Sequence, residues 1–179
     1  AADSILLSPA AETAVAGLSA QLTATGGAIG TVTQPLTLDT DSSLGVTGTA
    51  ASGMHIAETA GDLRVVTLLT DTGDAGLTAS EGSILLGYVA ALQGGITLLA
   101  RDSLVNADDA GAGNLLAIHM MLSAQAASIG APSMPLEVES LGGTVSADAT
   151  TGIELATSAG GLNVASLQTT AGDIVVRVS

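Results

Sequence analysis

The chain contains no cysteine, phenylalanine, tryptophan or lysine, and one tyrosine, Tyr88, among its 179 residues. Without cysteine neither a disulfide nor a thiolate metal site can form, an absence compatible with any redox compartment. Aromatic residues make up 1% of the chain although 47% of it is hydrophobic. A globular core of this size ordinarily draws on aromatic rings for buried area. Here Ala, Val, Leu and Ile must fill the interior, which suits a narrow tube of thin layers. Basic residues are limited to Arg64, Arg101 and Arg177 against 17 acidic ones, for a net charge of −14. That balance repels phosphate backbones and anionic membrane surfaces, so nucleic acid is not expected as a partner. No segment reaches the roughly 18 uninterrupted apolar residues of a spanning helix. The aromatic girdles of a transmembrane barrel are missing too, so no membrane insertion is expected.

What is present is a repeat. With an offset of 100, Leu22, Ala24, Ile29, Gly30, Pro35 and Leu36 fall on Leu122, Ala124, Ile129, Gly130, Pro135 and Leu136. After one deleted residue, Gly53-Met54-His55-Ile56 faces Gly152-Ile153-Glu154-Leu155. Ala60, Gly61, Leu63, Val65, Leu68, Thr70, Gly73 and Asp74 are then matched by Ala159, Gly160, Leu162, Val164, Leu167, Thr169, Gly172 and Asp173. The chain therefore divides into a repeat unit 1–99 and a partial unit 100–179. A motif too thin to close its own core must stack on its neighbours, so a single continuous solenoid over 1–179 is expected.

The retained residues alternate. Leu63 and Val65 persist while Asp62 and Arg64 become Gly161 and Asn163. Ile174, Val176 and Val178 likewise replace Ala75, Leu77 and Ala79. A period of two means extended strand with one face buried. Short apolar strands introduced by Gly, Asp or Pro recur along the chain, with starts such as Gly152, Gly161 and Gly172 about ten residues apart. Two or three strands per turn predict an all-β, right-handed parallel β-helix of about nine coils of roughly 20 residues, handedness following the general bias of crossovers. A hundred-residue unit is then about five coils, and the rod some 40–45 Å long. Residues 10–18 and 115–122 have good helix formers. Their place just before the Ile29 and Ile129 landmarks argues for strand and turn instead.

The order Ile29-Gly30, Pro35-Leu36, Gly53-Met54-His55-Ile56, Ala60-Gly61-Asp62-Leu63-Arg64-Val65 recurs as Ile129-Gly130, Pro135-Leu136, Gly152-Ile153-Glu154-Leu155, Ala159-Gly160-Gly161-Leu162-Asn163-Val164 and Gly172-Asp173-Ile174. It resembles the repeats of giant bacterial haemagglutinin-like and adhesin-like exoproteins. The resemblance covers essentially the whole chain. It implies a right-handed β-helical shaft, an extracellular or bacterial cell-surface location, and a role in adhesion, biofilm or cell envelope. It brings no catalytic residues. The chain starts at Ala1 without Met or a leader, and the expectation is a piece of something longer.

Candidate chemistry is sparse. His55 and His119 are the only histidines, and no partner spacing for catalysis or metal accompanies either. No Gly-x-Ser-x-Gly elbow is present, and Gly26-Gly27 and Gly94-Gly95 lack the Lys-Ser/Thr ending of a phosphate loop. Oxygen ligands for calcium are grouped at Asp39 and Asp41, Asp71 and Asp74, and Asp108 and Asp109. None matches an EF-hand or the nonapeptide of calcium β-rolls, and turn formation explains each Asp as well. No cofactor is expected unless calcium binds there.

The expectation is a non-enzymatic structural or adhesive shaft that associates with itself, end to end or within a longer chain, and meets cell-surface glycans or proteins. A carbohydrate-binding or carbohydrate-active β-helix is the alternative, weakened by the shortage of aromatic platforms and basic residues. An ice-binding face built from Thr23, Thr25, Thr31, Thr33, Thr37, Thr47 and Thr49 is a further alternative. Thr31 and Thr37 give way to Ala131 and Glu137 one unit later.

Overall fold

The computed structural model describes residues 3–8, 15–107, 113–157 and 161–178. Among them there is no helix, and all strands named below pair in parallel within one sheet. The first half holds β1 (Val15–Ala24), β2 (Leu36–Ala50), β3 (Met54–Glu58), β4 (Leu63–Thr70), β5 (Ala75–Ala79) and β6 (Ile84–Ala100). Then come β7 (Leu104–Asn106), β8 (Leu115–Ala124), β9 (Ser128–Ile129) and β10 (Leu136–Ser140). The last are β11 (Val145–Ala149), β12 (Gly152–Thr157), β13 (Val164–Thr169) and β14 (Ile174–Val178). Residues 115–122 are strand, as their place in the array predicts, and Val15 to Leu18 belong to β1. Residues 10–14 lie outside the described residues.

Pairing runs along three ladders, which define three faces of a β-solenoid. The first steps through Ile5, Ile29, Met54, Ala75, Ile96, Met120, Val145 and Val164. The second steps through Leu63, Ile84, Leu104, Ile129, Ile153 and Ile174. The third carries the small residues Ala24, Ala50, Thr70, Ala91, Ala117 and Ser140. Inward residues alternate with outward ones, so Met54 and Ile56, Ala75 and Leu77, Ile96 and Leu98 are all at most 1% exposed. Their stacking builds one continuous aliphatic core in which Leu36, Ile56, Leu77, Leu98 and Leu122 follow one another at successive coils.

The first ladder makes about seven turns between Ile5 and Val164, fewer than the nine expected. At one strand spacing per turn these span about 34 Å. The difference arises because excursions from the wall consume residues without advancing the coil. Two of them are the sequence landmarks. After Ile29-Gly30 the chain leaves the wall, Thr31 and Gln34 bond to each other in both directions (2.9 and 3.2 Å), and the wall resumes at Leu36. After Ile129-Gly130 the same happens, with Ala131 and Met134 paired at 3.0 Å both ways. Gly30 and Gly130 start these hairpins at φ of 62° and 68°, the left-handed region open to glycine.

The two hairpins do not lie on the same face. Four steps of the first ladder carry Ile29 to Met120, and Ile129, nine residues later, belongs to the second ladder. One hundred-residue offset therefore corresponds to four turns plus one face, not five coils. Local hydrogen bonds survive this rotation. Gly30 N–H donates to Ile5 O at 2.7 Å, and Gly130 N–H to Leu104 O at 2.8 Å. Ser4 Oγ accepts the Ala28 amide at 3.1 Å, and Ser103 Oγ the Ser128 amide at 3.4 Å. The first and second faces both take large aliphatic residues inward, so one sequence unit fits either of them.

Polar groups inside the tube are matched. Glu58 is fully buried and shares the inward parity of Met54 and Ile56. Its carboxyl accepts from Thr40 N–H (3.1 Å), Thr40 Oγ1 (2.8 Å) and Thr59 N–H (3.1 Å). Asn114, also buried, donates through Nδ2 to Leu86 O, Gly87 O and Asn106 Oδ1, each at 3.0 Å. Its Oδ1 takes the Glu137 amide at 2.9 Å. Buried amides and carboxyls are tolerated when saturated in this way.

Candidate interaction surfaces

The last coil exposes what earlier coils bury. In β14, Ile174 and Val176 pair with Ile153 and Leu155, both 0% exposed, yet are themselves 41% and 37% exposed. Val164 of β13 is 46% exposed where its register partner Val145 is 0%. These residues have core parity and no described coil beyond them. The result is an apolar platform whose parallel strands carry unpaired backbone groups on one side, the arrangement that recruits another strand edge. Arg177, on the outward side, pairs with Glu154 at 2.9 Å and fixes β14 against β12.

Sequence-predicted ligand residues are placed as follows. Asp39 and Asp41 are exposed and border one shallow groove together with Asp62. Asp41 Oδ1 accepts the Ser43 amide at 2.8 Å, and that bond holds its carboxyl below the ordinary carboxylate range. Asp71 and Asp74 flank one tight turn, and Asp74 Oδ1 accepts the Gly95 amide of the next coil at 2.8 Å. Asp62 makes the same inter-coil bond to the Ser83 amide at 2.7 Å. Turn capping thus engages Asp41, Asp62 and Asp74. Among the described residues no three His, Asp or Glu side chains converge as metal ligands. Asp108 and Asp109 lie outside the described residues.

The histidines are apart. His119 Nδ1 accepts the Thr144 amide at 3.2 Å on an exposed wall. His55 is half-buried on β3 and packs over Gly76, where an added Cβ would sit 2.5 Å from His55 Nδ1. Burial lowers its pKa from the ordinary imidazole value, opposed by the charge of Asp74. The unfolded chain therefore takes up a proton first, and stability falls as pH drops below about 6.5. His55→Gln is expected to flatten the change in thermal midpoint between about pH 7 and pH 5. Melts across that window check this, and an unchanged slope refutes it.

The threonines of the third face form two short rows, Thr23 beside Thr49 and Thr47 beside Thr67. Leu69 and Ala90 continue the first row, so the lattice ends after two coils. Nothing in the sequence pattern singles out Glu58, bonded to Thr40, or the Asn106–Asn114 pair. Tyr88, the one tyrosine, lines two surface depressions. Among the described residues no helix is long and apolar enough to cross a membrane. No family model, curated protein or solved structure matches the chain.

Proposed function

We propose that the chain is part of a non-enzymatic shaft, extended by coil stacking and self-association, of a bacterial cell-surface or extracellular filament protein. The observation that carries this reading is that each coil's apolar face is covered by the coil stacked on it, so that Val164, Ile174, Val176 and Val178, with no described coil beyond them, form an apolar platform. The described coils pair in parallel, so the two ends of the rod are different edges. A head-to-tail contact between different edges does not close on itself and generates a filament. Within a longer chain, a following coil covers the same platform. The surface location and the adhesive role rest on the resemblance of the repeat to haemagglutinin-like exoproteins.

Analytical ultracentrifugation and negative-stain microscopy test it. The chain is expected to form rods that lengthen with concentration. Val176→Asp is expected to leave short particles with an unchanged β-sheet circular dichroism spectrum, because a charge on the edge blocks strand addition. Short, closed particles of the unsubstituted chain at every concentration would overturn the reading.

A further inference from the structure

The only tyrosine of the chain borders a cavity of about 60 Å³ that the shaft reading does not use. Its walls are Tyr88, Gly113, Leu116, Glu137 and Glu139, over the buried Leu115, Val138 and Thr157. The arrangement follows from register. Tyr88 stands on β6 opposite Thr67, and Gly87 before it has no room for a Cβ because Val65 O and Val66 O lie against it. Glu137 and Glu139 are two residues apart on β10 and so project from the same side of the strand. The Glu137 backbone is held at both ends by Asn114, whose Oδ1 accepts its amide and whose N–H donates to its carbonyl at 3.1 Å. Gly113, at φ 81°, keeps the rim open, with Glu137 Oε2 3.9 Å from where a Cβ would be.

Among the described residues no cation lines this cavity. Arg64 borders the separate depression on the other side of Tyr88. The site therefore combines an aromatic ring, two uncompensated carboxylates and a space a few atoms across. We propose that it binds a primary alkylammonium group, the head of a partner's lysine side chain or of a free polyamine, held against the Tyr88 ring between Glu137 and Glu139. An aromatic ring attracts a cation through its quadrupole. The carboxylates supply charge-assisted hydrogen bonds to the ammonium protons. The net charge of −14 draws cations toward the surface. Burial, and then the charge of Glu139, raise the Tyr88 hydroxyl above its ordinary pKa, consistent with a negative potential at the ring. Coil-end association is not required, so the two readings fail independently.

Because the chain has no tryptophan and one tyrosine, its ultraviolet emission reports on this site alone. Titration with n-butylammonium chloride at constant ionic strength is expected to give a saturable change with a dissociation constant on the order of millimolar. The neutral isostere n-butanol is expected to give none. Glu139→Gln, at an exposed position, is expected to weaken binding about fivefold or more, and Glu137→Gln similarly. Spermine and a tetralysine peptide then distinguish the sources, the tighter ligand marking a polyamine or a protein partner. No saturable response, an equal response to n-butanol, or unaltered affinity in both variants would overturn the proposal. Circular dichroism of each variant shows that the fold is retained.

Discussion

Leu98→Ala is expected to lower the unfolding free energy by about 3 kcal/mol. Leu98 is 1% exposed and sits in the middle of the aliphatic stack, with Leu77 one coil before and Leu122 one coil after. Truncation removes transfer free energy and leaves a void that two neighbouring coils line. The backbone cannot collapse into that void, because both flanking strands are locked in parallel register at one strand spacing. Val178→Ala is the informative counterpart. Val178 has the same core parity but is 60% exposed, so at concentrations where the chain is unassociated its truncation is expected to cost under about 0.5 kcal/mol. Chemical denaturation of both variants, followed by circular dichroism, checks the contrast. Similar losses at the two positions would mean that the core is not a stack of nearest-neighbour layers.

The contrast also measures cooperativity. In a one-dimensional stack, stability is a sum of coil terms and interfaces between neighbours. A defect at Leu98 weakens the interfaces with the coils carrying Leu77 and Leu122 together. It divides the rod into two shorter stacks. Leu98→Ala is therefore expected to broaden the transition as well as shift it, whereas a change at Val178 leaves its shape alone.

The wall was legible in sequence because its signal is local. Alternation placed Leu63 and Val65 inside, and the structure buries both. The number of turns was not legible. An offset of 100 residues does not say how many belong to the wall, and the excursions after Gly30 and Gly130 look no different from coil. Nor does an offset reveal that it corresponds to four turns plus one face. That information resides in which strand pairs with which, for instance Ile129 with Leu104 and not with Met120. Glu58 was hidden for another reason. Its parity with Met54 and Ile56 points inward, but a glutamate reads as an outward residue until Thr40 and Thr59 are seen to supply its donors. The acidic turns were visible as clusters. Their carboxylates form bonds between coils that no spacing rule anticipates, such as Asp74 to Gly95.

Gly30→Ala and Gly130→Ala are each expected to cost at least about 3 kcal/mol, the sum of a left-handed backbone penalty and a backbone clash. At Gly30 an added Cβ would meet His55 O and lie 2.5 Å from Leu36 N. At Gly130 it would meet Glu154 O and lie 2.7 Å from Leu136 N. The obstructing atoms are backbone of the next coil and of the point where the hairpin rejoins the wall, so no side chain can swing away. Gly61 separates the two contributions. Its φ is 77°, yet nothing lies within 4 Å of its would-be Cβ. Gly61→Ala is therefore expected to cost only the conformational part, about 1 kcal/mol. Denaturant midpoints of the three variants decide the matter: near-equal losses would show that the hairpins can shift outward, and that the landmark glycines serve the turn alone and not the contact between coils. A larger loss at Gly30 and Gly130, equal on two different faces, is the result that a unit repeating with a one-face rotation requires.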